Sequence, residues 1–118
     1  MSHITAGAFP AQRHAFVVNV RPDLRDRYLE LHAAVWPHVE RTLRAQGVTN
    51  YSIFLLDDTL FGYYEYRGAD YEADMAIIDA DAVTQHWLSQ TGPCQTVFGT
   101  ADPGVEGWRE AHAIWHLP

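Results

Sequence analysis

Tyr28, His32 and Trp36 recur at intervals of four, immediately ahead of Pro37. On a helix that spacing stacks the three side chains along one face. An imidazole with an ordinary pKa of about 6.5 gives and takes a proton at neutral pH. A tyrosine hydroxyl one turn earlier donates or accepts a hydrogen bond. The chemistry open to this stretch is general acid–base catalysis between aromatic walls. Pro37 disturbs the run, because its ring clashes with the carbonyl four residues back and it lacks an N–H. Trp36, which precedes the proline, is pushed away from helical angles. His32 therefore lies one turn before an expected helix break.

Little in the chain competes with that chemistry. Cys94 is the only cysteine, which excludes an intrachain disulfide and a thiolate metal cluster. There is no His-Glu-x-x-His, no EF-hand loop, no Gly-x-Gly-x-x-Gly and no Walker lysine. The chain has no lysine at all, so lysine Schiff-base chemistry is out. Its serines, Ser2, Ser52 and Ser89, sit in no Gly-x-Ser-x-Gly elbow. The expectation is an activity without metal or cofactor. The other histidines are weaker candidates. His38 follows Pro37 and is expected to be solvated, and His86 has no evident partner beside Trp87. His112 and His116 fall on one face of an expected last strand, about 13 Å apart, too far to share a metal ion.

These groups must be positioned by a chain of 118 residues, one domain of ordinary size spanning 1–118. Hydrophobic residues make up 47% and charged residues 19%, a globular balance. A net charge of −7 argues against a nucleic-acid partner, which needs a basic patch. No apolar run approaches the roughly 20 residues that span a bilayer, and Met1–Pro10 lacks a signal-peptide pattern. A cytoplasmic protein without membrane contact is expected. The 4 Trp, 6 Tyr and 5 Phe fill a core, but Trp and Tyr also stack on sugar rings and offer a polar handle.

Residues 1–13 read as a loosely ordered tail. Ala15–Val20 is a β-branched and aromatic run, hence a first strand. Arg21-Pro22-Asp23 opens a helix over 23–34, and a second helical segment spans 36–46, stopped by Gly47. Residues 49–56 and 60–66 make a hairpin around Asp57-Asp58. Helical pieces follow over 71–78 and 83–90, interrupted at 79–82, then a long loop over 91–107 and a last strand over 111–117. The order β-α-β-β-α-β is the ferredoxin-like α+β arrangement, an antiparallel sheet with both helical units on one face. Strand neighbours alternate sides, so Tyr51, Phe54, Tyr63 and Trp115 cannot all be buried under the helices. The uncovered aromatic face predicts a dimer and a ligand cleft. In this fold Tyr51 and Trp87 can converge on the first helix, giving a pocket walled by Tyr28, His32, Tyr51 and Trp87.

The chain resembles the L-rhamnose mutarotase family from Ala15 to Pro118. The resemblance rests on Ala15-Phe-Val, Asn19-Val-Arg-Pro-Asp23, Tyr28-x-x-x-His32-x-x-x-Trp36-Pro37, Gly47-Val-x-Asn50-Tyr51-x-Ile53, Gln85-x-Trp87 and Trp115-x-Leu117-Pro118. It implies a fold similar to the dimeric α/β barrels, a homodimer, and an isomerase that interconverts the α and β anomers of L-rhamnose without a cofactor. It places the proton donor on His32 and the substrate contacts on Tyr28, Tyr51 and a Trp-Trp pair. The second tryptophan of that pair is Leu88 here, which makes L-fucose, another 6-deoxy sugar, a candidate beside L-rhamnose. Mutarotation opens a hemiacetal ring and recloses it, so it needs a proton moved and nothing more. The complementary base is open: a tyrosine, a carboxylate or water. Two other readings keep the fold, a cofactor-independent monooxygenase of small aromatic substrates and a non-catalytic sugar-binding dimer.

Overall fold

The computed structural model describes residues 10–99 and 107–118. Strand β1 (Gln12–Val20) leads through a 3₁₀ turn at Pro22–Leu24 into α1 (Arg25–His32) and α2 (Pro37–Ala45). The hairpin β2 (Val48–Leu56) and β3 (Thr59–Tyr66) follows, then α3 (Tyr71–Ala80) and α4 (Ala82–Thr91). A 3₁₀ turn at Gly92–Cys94 precedes the short strands β4 (Gln95–Thr96) and β5 (Arg109–Ala111). The sheet runs β2-β3-β1-β4 with every pairing antiparallel, and β5 lies along β1 beside β4. This is the ferredoxin-like α+β arrangement that the element order implies.

Alternation divides the sheet. Val18, Val20, Leu60, Tyr64 and Tyr66 are buried, and the helices supply their partners. Tyr28 and Leu24 pack with Val18, Val20 and Leu60, while Leu43, Met75 and Ile78 pack with Val48 and Tyr64. The other face keeps Phe54 63% and Leu56 65% exposed, with Phe61 exposed beside them.

Each helical unit breaks once, and each break has a residue behind it. Trp36 takes extended angles ahead of Pro37, which then occupies the first turn of α2, where its missing N–H costs nothing. Asp81 ends α3 and caps α4, accepting hydrogen bonds from the backbone N–H and the hydroxyl of Thr84, both at 2.8 Å. His38 Nε2 lies 3.0 Å from Asp81 Oδ1. That bond, with the cap, holds the Asp81 carboxyl down to about 2. His38 is therefore not the freely solvated residue expected from its place after Pro37: it ties α2 to the start of α4.

Several boundaries differ from the sequence expectation. β1 begins at Gln12 instead of Ala15, because β3 pairs with it out to Tyr66. Residues 1–9 of the expected tail lie outside the described residues. The first helix gives its opening turn to a 3₁₀ segment. The expected loop over 91–107 holds the end of α4, a 3₁₀ turn and β4, and 100–106 lie outside the described residues. The last strand covers Arg109–Ala111, not 111–117. It runs antiparallel to Ala15–Val17, and the pairing stops at Ala111 although β1 continues to Gln12. His112 and His116 consequently share no strand face.

Candidate active site

His32 closes α1 and is held from two sides. Its Nδ1 lies 2.9 Å from the Tyr28 carbonyl oxygen one turn back. A carbonyl only accepts, so Nδ1 carries the proton and the neutral imidazole keeps its lone pair on Nε2. The Tyr28 ring stacks on it, with centroids 4.2 Å apart and planes at 27°. The Trp87 ring meets it edge-on at 5.3 Å and 70°. Burial pulls the His32 pKa below 6.5, against the opposing effect of the Tyr28 carbonyl. At neutral pH the group is therefore an uncharged imidazole, ready to accept a proton before giving one.

The aromatic support continues outward. Trp87 also meets Trp36 edge-on at 5.2 Å, and Trp36 stacks on His86 at 5.1 Å. Trp36 thus braces the site from behind, and His86 has the partner that sequence reading could not name.

His32, Tyr51 and Trp87 line a cavity of 590 Å³ together with side chains of α2 and β2. Tyr51 reaches it through an irregularity. The β2–β3 register shifts between Thr49 and Ser52, and Asn50 takes a φ of +49°, a left-handed angle that asparagine tolerates. The Asn50 amide donates to Glu65 at 3.0 Å and fixes the bulge. Tyr51 then lies against Tyr64, centroids 5.3 Å apart. It remains 46% exposed, yet desolvation of its hydroxyl raises its pKa.

Tyr28 is placed differently from a wall residue. It is 3% exposed and is not among the side chains lining the cavity. Burial pushes its hydroxyl up to about 12, against a hydrogen bond from Gln95 Nε2 at 3.4 Å. It keeps its proton at neutral pH, so it is no base there. Leu88 is 45% exposed and also lies outside the lining. The structure thus brings His32, Tyr51 and Trp87 to one cavity, with Tyr28 stacked behind His32 and Leu88 beside Trp87 on α4.

Sequence reading missed Glu40, Arg44, Thr49 and Asn50, which also line the cavity. The signal for the first two was present: they lie four apart on a helix whose apolar pair, Val39 and Leu43, is offset by one residue. Among the described residues, no three His, Cys, Asp or Glu side chains gather as a metal site.

Fold and site together define a ferredoxin-like α+β protein with a histidine-centred cavity suited to acid–base chemistry on a small molecule. The L-rhamnose mutarotase profile matches residues 13–117, and the chain belongs to that family. An L-rhamnose mutarotase of Pectobacterium atrosepticum is 38% identical over 82 residues, 68% of this chain and 76% of that protein. One of Opitutus terrae is 38% identical over 107 residues, 89% of this chain and 97% of that protein. The crystal structure of an L-rhamnose mutarotase from Formosa agariphila matches with a TM-score of 0.70 at 22% identity, covering 91% of this chain and 99% of that one.

Proposed function

We propose that the protein is an aldose 1-epimerase, an isomerase that interconverts the α and β anomers of L-rhamnose, with L-fucose as the competing 6-deoxy substrate. The observation that carries the reading is the arrangement of His32: Nδ1–H tied to the Tyr28 carbonyl while the ring lines an aromatic cavity. Membership of the family selects the sugar reaction over the monooxygenase and the non-catalytic binder, which the fold alone would also allow.

His32 Nε2 takes the proton of the anomeric hydroxyl. The imidazolium then gives a proton to the ring oxygen as the C1–O5 bond breaks, so the expected role of acid falls in the second half of the transfer. Rotation of the free aldehyde about C1–C2 presents its other face, and the same two transfers in reverse reclose the ring. Both oxygens are bonded to C1 in the closed sugar, which lets one nitrogen serve both. Tyr51 and Trp87 supply the walls, Tyr28 holds His32 in its tautomer, and Leu88, beside Trp87 but outside the lining, leaves the cavity without the second ring that a tryptophan would bring toward the sugar.

Saturation-transfer NMR on L-rhamnose tests this: the protein is expected to accelerate anomer exchange, and no acceleration would overturn the reading. Because the neutral imidazole starts the cycle, kcat/KM is expected to rise with pH through a pKa that burial holds below the usual histidine value, and to be level above it. A rate that falls as pH rises through that pKa would show that the imidazolium starts the cycle instead. Leu88→Trp is expected to raise kcat/KM for L-rhamnose over L-fucose by about 3–10-fold, the scale of a modest change in apolar contact. An unchanged ratio in the same NMR assay would remove Leu88 from the specificity residues.

The protein is further proposed to act as one domain, in the cytoplasm, and as a homodimer. The exposed Phe54, Leu56 and Phe61 on the sheet face favour a second copy as its cover. Sedimentation as a monomer at micromolar concentration would refute the dimer.

A further inference from the structure

We infer that Glu40, Arg44, Thr49 and Asn50 form a hydroxyl-reading subsite, between α2 and β2, that decides which neutral sugar is accepted; this rests on the sugar reading above. Helix α2 presents two rows to the cavity. Val39 and Leu43 form an apolar row, and Glu40 and Arg44 form a polar row displaced from it by one residue. A 6-deoxy sugar has the same division, a methyl and C–H edge on one side and ring hydroxyls on the other.

The polar row is not occupied with itself. A glutamate four residues before an arginine is the favourable order for a helical ion pair, yet Glu40 and Arg44 make none with each other. Their head groups are left for a ligand. A carboxylate accepts from two hydroxyls and a guanidinium donates a fork of N–H groups, so the pair suits neighbouring ring hydroxyls. Opposite charges one turn apart favour an uncharged polyol over a sugar acid or phosphate, which an unaccompanied arginine would select. On the β2 side, Asn50 commits one amide N–H to Glu65 and retains the other N–H and its carbonyl oxygen. The Thr49 hydroxyl oxygen is sealed from solvent and, among the described residues, has no hydrogen-bond partner. A sugar hydroxyl that displaces the side chains covering it gives it the partner it lacks.

The test compares the native protein with Glu40→Gln and Thr49→Val. The first changes an exposed helix residue, so it reads the subsite even if the second disturbs the strand. Each is expected to lower kcat/KM for L-rhamnose about 10-fold, the scale of one lost hydrogen bond to a substrate hydroxyl, through KM with kcat nearly unchanged. Each is also expected to narrow the preference among L-rhamnose, L-fucose and other epimers that differ at a ring hydroxyl. Native KM and native epimer preference in both variants would overturn the subsite and leave the mutarotase reading standing. Saturation-transfer binding of the same sugars separates the converse case. Epimer-selective binding that weakens in both variants, without any exchange, supports the subsite and overturns the reaction; no binding of any sugar overturns both.

Discussion

Replacement of His32 by alanine is expected to remove about 10²–10⁴-fold of the anomer-exchange acceleration, or roughly 3–5 kcal/mol of barrier lowering. The loss should fall on kcat, because Tyr51 and Trp87 remain as walls and continue to bind the sugar. His32→Gln sharpens the result. Glutamine can still donate to the Tyr28 carbonyl and fill much of the imidazole volume, but it carries no titratable group. If proton transfer is the role of His32, His32→Gln behaves like His32→Ala and the acid limb of the pH profile disappears. Exchange by His32→Ala at the native rate would show that the assignment is wrong. Recovery by glutamine would show that His32 acts by packing alone.

The largest expected effect on stability lies outside the cavity, at Gly68. A β-carbon placed there would overlap the Tyr66 hydroxyl and come 2.6 Å from Asp74 Oδ2. Tyr66 is fully buried, its hydroxyl donates to Asp74, and it accepts from the Asp70 N–H at 3.0 Å. The ring has nowhere to retreat, since Tyr71 meets it edge-on at 5.1 Å. Gly68→Ala is expected to cost about 1–3 kcal/mol by overpacking, toward the upper end because hydrogen bonds are displaced as well. Urea denaturation measures it. Tyr66→Phe removes the hydroxyl, the nearest atom the methyl would strike, but leaves the ring carbon Cζ 2.5 Å from it, so the double variant should be only partly relieved relative to the sum of the two single changes. Strict additivity would mean that the clash is relieved elsewhere.

Much of this architecture was legible in the sequence, and the reasons differ from element to element. The hairpin showed because Asp57-Asp58 separates two runs of β-branched and aromatic residues. The break before α2 showed because proline enforces it. His32 stood out by its spacing from Tyr28 and Trp36, and by elimination of other chemistries. What stayed hidden depends on tertiary pairing. Nothing local in Ile114 or Trp115 reveals that the pairing of β5 with β1 stops at Ala111. The bulge at Asn50 has only a weak local sign, an asparagine able to adopt a left-handed angle. His38 reads as a surface histidine until Asp81, 43 residues later, is folded against it. Tyr28 fits a helical aromatic stripe, but only the packed core shows that it stands behind His32 and not in the cavity wall.

The shared carboxylate of Asp81 has a consequence for how the molecule opens. Asp81 closes α3 with its backbone N–H, caps α4 with Oδ2 and holds His38 of α2 with Oδ1, so the starts of two helices share one carboxylate. Helix α2 and Trp87 of α4 both border the cavity. A fluctuation that parts them breaks the His38 bond to Oδ1, while Oδ2 keeps its two bonds to Thr84 and α4 stays capped. In hydrogen–deuterium exchange, the amides of α2 are therefore expected to lose protection ahead of those of the first turns of α4. Loss of protection in both at one rate would show that the two open as one unit.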